Sequence, residues 1–128
     1  TQVETLFFKR LNDLVAYLNR TCFLGILQTE FHYALYPTGT GYKRHLDSFQ
    51  NDNKRKLSIA FYLNFEDWSQ TDGGALALYL EGDQSEEQTI LVNPIAGRMV
   101  IFESQKIPHE VLIAHRDRLS ITGWLKTS

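Results

Sequence analysis

In the stretch "GYKRHLDSF", His45 and Asp47 stand two residues apart in a chain that has only 4 histidines. On an extended strand, residues i and i+2 face the same way. The spacing can therefore aim an imidazole and a carboxylate at one point, although it serves two solvated polar residues equally well. Two imidazoles and one carboxylate on a triangular face of an octahedron hold a ferrous ion and leave three positions open. The third ligand then has to come from a segment distant along the chain, and His32, His109 and His115 are the candidates. His109 lies in "IPHEV" at the start of an extended run, and Arg118 follows nine residues later. The planar fork of an arginine matches a carboxylate through two parallel hydrogen bonds, which suits a dicarboxylate cosubstrate. Antiparallel neighbours joined by a turn at "AHRD" would bring His109 and Arg118 to one region. His115 falls within that turn, where a ligand would be poorly held, and His32 in "EFHYALY" reads as a core or surface histidine.

The elements that must position these groups are short strands behind one helix. Val3, Leu6, Phe7, Leu11, Leu14, Val15 and Leu18 recur at spacings of three and four, which predicts a helix over Val3–Leu18 with a turn at Gly25. Runs rich in β-branched and aromatic residues follow: "EFHYALY", "LSIAFYLN", "GALALYL", "TILV", "RMVIF", "EVLI" and "RLSITGWLK". Gly, Asn, Asp and Pro separate them. About seven or eight strands in this rhythm predict an antiparallel sandwich or barrel. In "RLSITGWLK", Arg118, Ser120, Thr122 and Trp124 share one face, with Leu119, Ile121 and Leu125 opposite. In "LSIAFYLN", Ser58, Ala60, Tyr62 and Asn64 oppose Leu57, Ile59, Phe61 and Leu63. Either the polar faces are wet, or they line a pocket inside a barrel whose apolar faces pack under the helix. Periodicity alone leaves both open, and Tyr62 and Trp124 lean toward the pocket because large aromatics rarely serve a fully solvated face.

The bulk numbers remove several alternatives. The 128 residues suffice for one domain with a core. A net charge of −2 gives no electrostatic case for nucleic acid or an anionic membrane. No apolar run approaches the roughly 18 residues of a membrane span. The single Cys22 excludes an internal disulfide and suits a reducing compartment, so a cytoplasmic location is expected. The chain begins at Thr1 without a methionine, and is read as one domain, 1–128, truncated at its N-terminus.

In combination and order, "YPTGTGYKRHLD", "FYLNFEDW", "DGGALALY", "PHEV" and "RLSITGW" make the chain resemble the prolyl 4-hydroxylase-like branch of the Fe(II)- and 2-oxoglutarate-dependent oxygenases. The likeness is to the HIF prolyl hydroxylases and their bacterial relatives, and it covers nearly the whole sequence. It implies a mostly β fold with an N-terminal helix, a double-stranded β-helix (jelly-roll, cupin-like) barrel. It implies His45, Asp47 and His109 as metal ligands and Arg118 as the anchor of the distal carboxylate of 2-oxoglutarate. Tyr62 matches a tyrosine on the same carboxylate, and Tyr36 one near the metal-proximal end of the cosubstrate. Thr122 matches a pocket-wall position, and Trp124 one close to where substrate enters. The "YPTGTGY" loop is one residue shorter than in the animal oxygen-sensing members, and their terminal helix and upstream strands have no counterpart here.

The resemblance implies hydroxylation of a prolyl residue in a protein, using Fe(II), 2-oxoglutarate and O2 and releasing succinate and CO2, with ascorbate as a stimulant. Related halogenating enzymes carry a small residue where Asp47 stands, so hydroxylation is the expected outcome. The polar segments Ser48–Lys56 and Glu66–Gly74 are expected rims of a substrate cleft. Lys54, Arg55 and Lys56 suit either an acidic partner or a solvated turn. Two rival readings are an oxygenase acting on a free amino acid or small metabolite, and a cupin-like barrel that binds metal without catalysis. A mere metal binder has no use for Arg118.

Overall fold

The computed structural model describes residues 1–47, 54–84 and 86–127. A capping box opens helix α1 (Gln2–Cys22): the Thr1 hydroxyl accepts from the Glu4 amide, and the Glu4 side chain reaches back to the Thr1 backbone. The helix runs one turn beyond the expected Leu18. It stops where Phe23 turns left-handed (φ 54°), and Asn19 ties the following chain down through two hydrogen bonds to the Ile26 backbone. Leu11 is buried, with Phe7, Leu14, Val15 and Leu18 packed beside it, whereas Val3 and Leu6 of the first turns stay exposed.

Eight strands follow: β1 (Gln28–Tyr36), β2 (Tyr42–His45), β3 (Arg55–Tyr62), β4 (Leu76–Glu81), β5 (Glu87–Val92), β6 (Met99–Glu103), β7 (His109–Val111) and β8 (Arg118–Lys126). They form two four-stranded antiparallel sheets, ordered β1-β8-β3-β6 and β2-β7-β4-β5. This is the jelly-roll arrangement, mostly β, with one α-helix among the described residues lying on one side. Helix α1 packs on the outer face of the first sheet, where Leu11 meets Ile59 and Leu125. Leu76, Leu78, Phe102 and Val111 form a second cluster that draws on both sheets.

Covering Ile59 and Leu125 with the helix forces their alternates inward. Ser58, Ala60 and Tyr62 are buried on β3, Asn64 is buried just beyond its end, and Arg118 and Ser120 are buried on β8. The polar faces therefore line the interior, and Leu63 and Leu119 are the exposed residues. One topological expectation is corrected. β7 and β8 are not paired neighbours but belong to opposite sheets, because the chain crosses over between them. Gly73 and Ala114 make an isolated bridge in that crossing. Among the described residues, no helix is long and apolar enough to cross a membrane.

Candidate active site

His45, Asp47 and His109 each direct a ligand atom to one place, with all three atoms within 4.8 Å of one another. His45 and His109 are directly opposed in the β2–β7 register. Asp47 is not on the same strand as His45, as its spacing suggested. β2 ends at His45, and Asp47 reaches the histidines from the segment beyond it. Its Oδ1 lies 3.3 Å from His45 Nε2 and 3.1 Å from His109 Nε2.

Both imidazoles are oriented from behind. His45 Nδ1 lies 2.7 Å from the Lys43 carbonyl, and His109 Nδ1 lies 3.1 Å from the Ile107 carbonyl. A carbonyl only accepts, so each Nδ1 carries the proton and each Nε2 presents a lone pair. Two such lone pairs and a carboxylate oxygen converging on one point can hold a cation between them. Nitrogen and oxygen donors in this number suit divalent iron. Tyr42 packs on the His45 ring, and the edge of Phe102 meets His109. Burial alone would raise the Asp47 carboxyl. Where a proton on His109 Nε2 takes the place of the cation, the hydrogen bond and charge of that doubly protonated ring, together with the Ser58 hydroxyl, outweigh burial and hold the carboxyl well below the usual carboxylate range.

The second feature is a buried cation. Arg118 opens β8 opposite Tyr36 of β1 and is 2% exposed. Its Nε donates to the Gly74 carbonyl at 2.7 Å, and its guanidinium carbon lies 5.2 Å from the Tyr36 ring and 5.1 Å from the Tyr62 ring. Among the described residues, no carboxylate forms an ion pair with it. Burial draws the guanidinium below its usual range, with the tyrosines opposing, and raises the Tyr62 and Tyr36 phenols, with Arg118 opposing. Tyr62 Oη and Ser120 Oγ, on residues paired across β3 and β8, are buried without a hydrogen-bond partner among the described residues. A buried unpaired cation beside two orphaned hydroxyls fits an entering carboxylate. The donor set therefore suits both the metal and a keto-diacid.

The "DGG" turn is what lets Arg118 sit there. Gly73 and Gly74 both have positive φ, and a Cβ on Gly74 would lie 3.0 Å from Arg118 Cδ. Trp68, buried, donates from its indole to the Gly73 carbonyl. The segment Glu66–Gly74 thus backs the arginine with buried residues instead of forming only a polar rim. Of the other expected rim, residues 48–53 lie outside the described residues.

Thr122 is on the inner face, and its hydroxyl pairs with His32 Nε2 at 3.1 Å. His32 also lies against Trp124, and neither His32 nor His115 belongs to the ligand cluster. Three residues with contacts here carried no distinctive signal in the sequence. Arg55, seen only as part of a basic run, lays its guanidinium 3.6 Å over the Trp124 ring and donates to the Asp47 carbonyl. Ser58 donates to Asp47 Oδ2, and Ser104 contacts Ser58. Strand alternation placed Ser58 on the polar face, but nothing in the sequence ties Ser104 to it.

The family described as the 2OG-Fe(II) oxygenase superfamily matches residues 31–126. A hypoxia-inducible factor prolyl hydroxylase of Caenorhabditis elegans is 39% identical over 94 residues, which is 71% of this chain and 12% of that protein. The crystal structure of a Pseudomonas putida prolyl-4-hydroxylase is similar with a TM-score of 0.80 at 44% identity, over 91% of this chain and 61% of that one. A Trichoplax adhaerens prolyl hydroxylase, solved with a peptide fragment of the hypoxia-inducible factor oxygen degradation domain, gives 0.77 at 33%, over 94% and 56%. The chain thus spans less than two thirds of the length of each of these relatives.

Proposed function

Because this chain belongs to the 2OG-Fe(II) oxygenase superfamily, we propose that it hydroxylates a prolyl residue of a protein substrate, consuming 2-oxoglutarate and O2 and releasing succinate and CO2. The observation that carries this reading is the buried Arg118 without an acid beside it, inside the same barrel as the His45–Asp47–His109 cluster. A barrel that only bound metal would bury that cation for no return. The prolyl substrate is supported by the kinship with prolyl hydroxylases.

In this reading His45, Asp47 and His109 hold Fe(II). The bound iron and its keto-acid supply the oxidising chemistry. The rest falls to the side chains. The carbonyls of Lys43 and Ile107 keep the two imidazoles in the ligating tautomer. Arg118 and Tyr62 fix the far carboxylate of 2-oxoglutarate, Tyr36 stands near its metal-proximal end, and Thr122 walls the pocket. Trp124, braced by Arg55, stands beside the entering substrate. A cytoplasmic location and stimulation by ascorbate, a one-electron reductant, complete the proposal.

The test is succinate release by the protein supplied with Fe(II), 2-oxoglutarate, ascorbate and O2, with prolyl peptides or free proline, followed by mass spectrometry. A gain of one oxygen on a peptide proline is expected, and His109→Ala should abolish it. Turnover of free proline with no turnover of any prolyl peptide would favour the small-metabolite reading instead.

A further inference from the structure

We infer that Ser58 and Ser104 form a one-way hydroxyl relay that fixes Asp47 as a metal ligand through a single oxygen, Oδ1. This rests on the reading of His45, Asp47 and His109 as the metal site. Asp47 Oδ1 faces both imidazoles, at 3.3 and 3.1 Å. Its other oxygen, Oδ2, is 2.6 Å from Ser58 Oγ, and Ser58 Oγ is 2.8 Å from Ser104 Oγ. The two serines are 2% and 0% exposed, so water does not compete for these contacts.

The direction of the relay follows from counting protons. An ionised carboxylate has only acceptors, so Ser58 must spend its single O–H on Asp47. Ser58 can then only accept from its neighbour, and Ser104 must be the donor. Ser104 is itself seated by its backbone amide, which donates to the Lys56 carbonyl at 3.1 Å. The Asp47 backbone is held independently, its carbonyl accepting from Arg55 Nη1 at 2.8 Å. Asp47 lies outside any strand, so no ladder sets its side chain, and the relay supplies the missing constraint. A carboxylate free to turn can offer both oxygens to a metal and occupy two positions. Holding Oδ2 on Ser58 leaves that second position open. Ser58 and Ser104 are thus positioning residues that act through Asp47.

Mn(II) titrations followed by electron paramagnetic resonance, together with the visible spectrum of the Co(II)-loaded protein, test the inference. Loss of a hydrogen bond to a ligand weakens metal binding by about 10–100-fold, which is the loss expected for Ser58→Ala, along with a changed Co(II) spectrum. Ser58→Thr keeps the hydroxyl and should restore both. Ser104→Ala should give a smaller loss in the same direction. Wild-type affinity and spectrum in Ser58→Ala would overturn the relay. If Ser58→Ala does not fold by circular dichroism, Ser104→Ala decides: wild-type affinity and spectrum there overturn it as well. Asp47→Ala separates the two levels of the argument. If it binds Mn(II) as tightly as wild type, the metal site itself is misassigned.

Discussion

Replacing Arg118 with methionine removes a charge and keeps a long, unbranched side chain. Arg118 is 2% exposed, with one hydrogen bond to the Gly74 carbonyl and two tyrosine rings about 5 Å from its guanidinium carbon. Desolvating such a cation costs several kcal/mol. The charged hydrogen bond offsets about 1.5–3 kcal/mol of this, and each ring about 0.5–2 kcal/mol. These terms nearly cancel, so ligand-free Arg118→Met is expected to fold with a stability within about 2 kcal/mol of wild type. Ligand separates the two proteins. At a hundredfold excess over Kd, 2-oxoglutarate bound only to folded protein adds about 2.7 kcal/mol. In a domain of this size that is about 10 °C in melting temperature. Losing the counter-charge of a buried carboxylate costs about 2–5 kcal/mol. A hundredfold weaker Kd, within that range, leaves about 0.4 kcal/mol of ligand stabilisation at the same concentration, or about 1–2 °C. Melting curves with Mn(II), without O2, and with and without 2-oxoglutarate read both quantities. A full ligand shift in Arg118→Met would refute the assignment of Arg118 as the anchor. A ligand-free variant that no longer folds would refute the balance of terms.

Two further outcomes follow from the loops that frame the site. Gly74→Ala places a Cβ 3.0 Å from Arg118 Cδ and 3.3 Å from Trp68 Cζ2, at φ +71°; the strain should cost about 1–3 kcal/mol, seen as a lower urea midpoint and a smaller 2-oxoglutarate shift, and an unchanged midpoint would contradict it. Asp117 accepts from the Thr38 amide and hydroxyl, and these bonds hold its carboxyl below the usual range. A depressed carboxyl contributes stability above its unfolded value, near ~4, and that contribution is lost as pH falls toward the lower folded value. The urea midpoint of wild type should therefore drop more steeply between about pH 5 and pH 3 than that of Asp117→Asn, and parallel slopes would count against the contact.

Much of the fold was legible because its signals are local. The i+3 and i+4 spacing from Phe7 to Leu18 marks a helix wherever it packs, and the alternation in "RLSITGWLK" coincides with β8 residue for residue. The left-handed turn at Phe23 was not legible, since Arg20–Cys22 carry no stop signal and Asn19 ends the helix by reaching seven residues ahead. His109 was read at the start of an extended run, where β7 begins, but the partner of that strand was misplaced. A turn at "AHRD" suggests a hairpin, whereas the pairings of β7 with β2 and β4 depend on residues far along the chain.

By itself the sequence determined which groups are available: the histidines, Asp47 and Arg118, and the division of β3 and β8 into one polar and one apolar face. A period of two does not say which face is inside. The tertiary structure decided that, because α1 covers Ile59 and Leu125 and so turns Ser58, Tyr62, Arg118 and Ser120 into the barrel. It also decided how Asp47 is aimed, through hydroxyls on two segments 46 residues apart in sequence. Contacts of that kind depend on how the sheets close, and no local pattern encodes them.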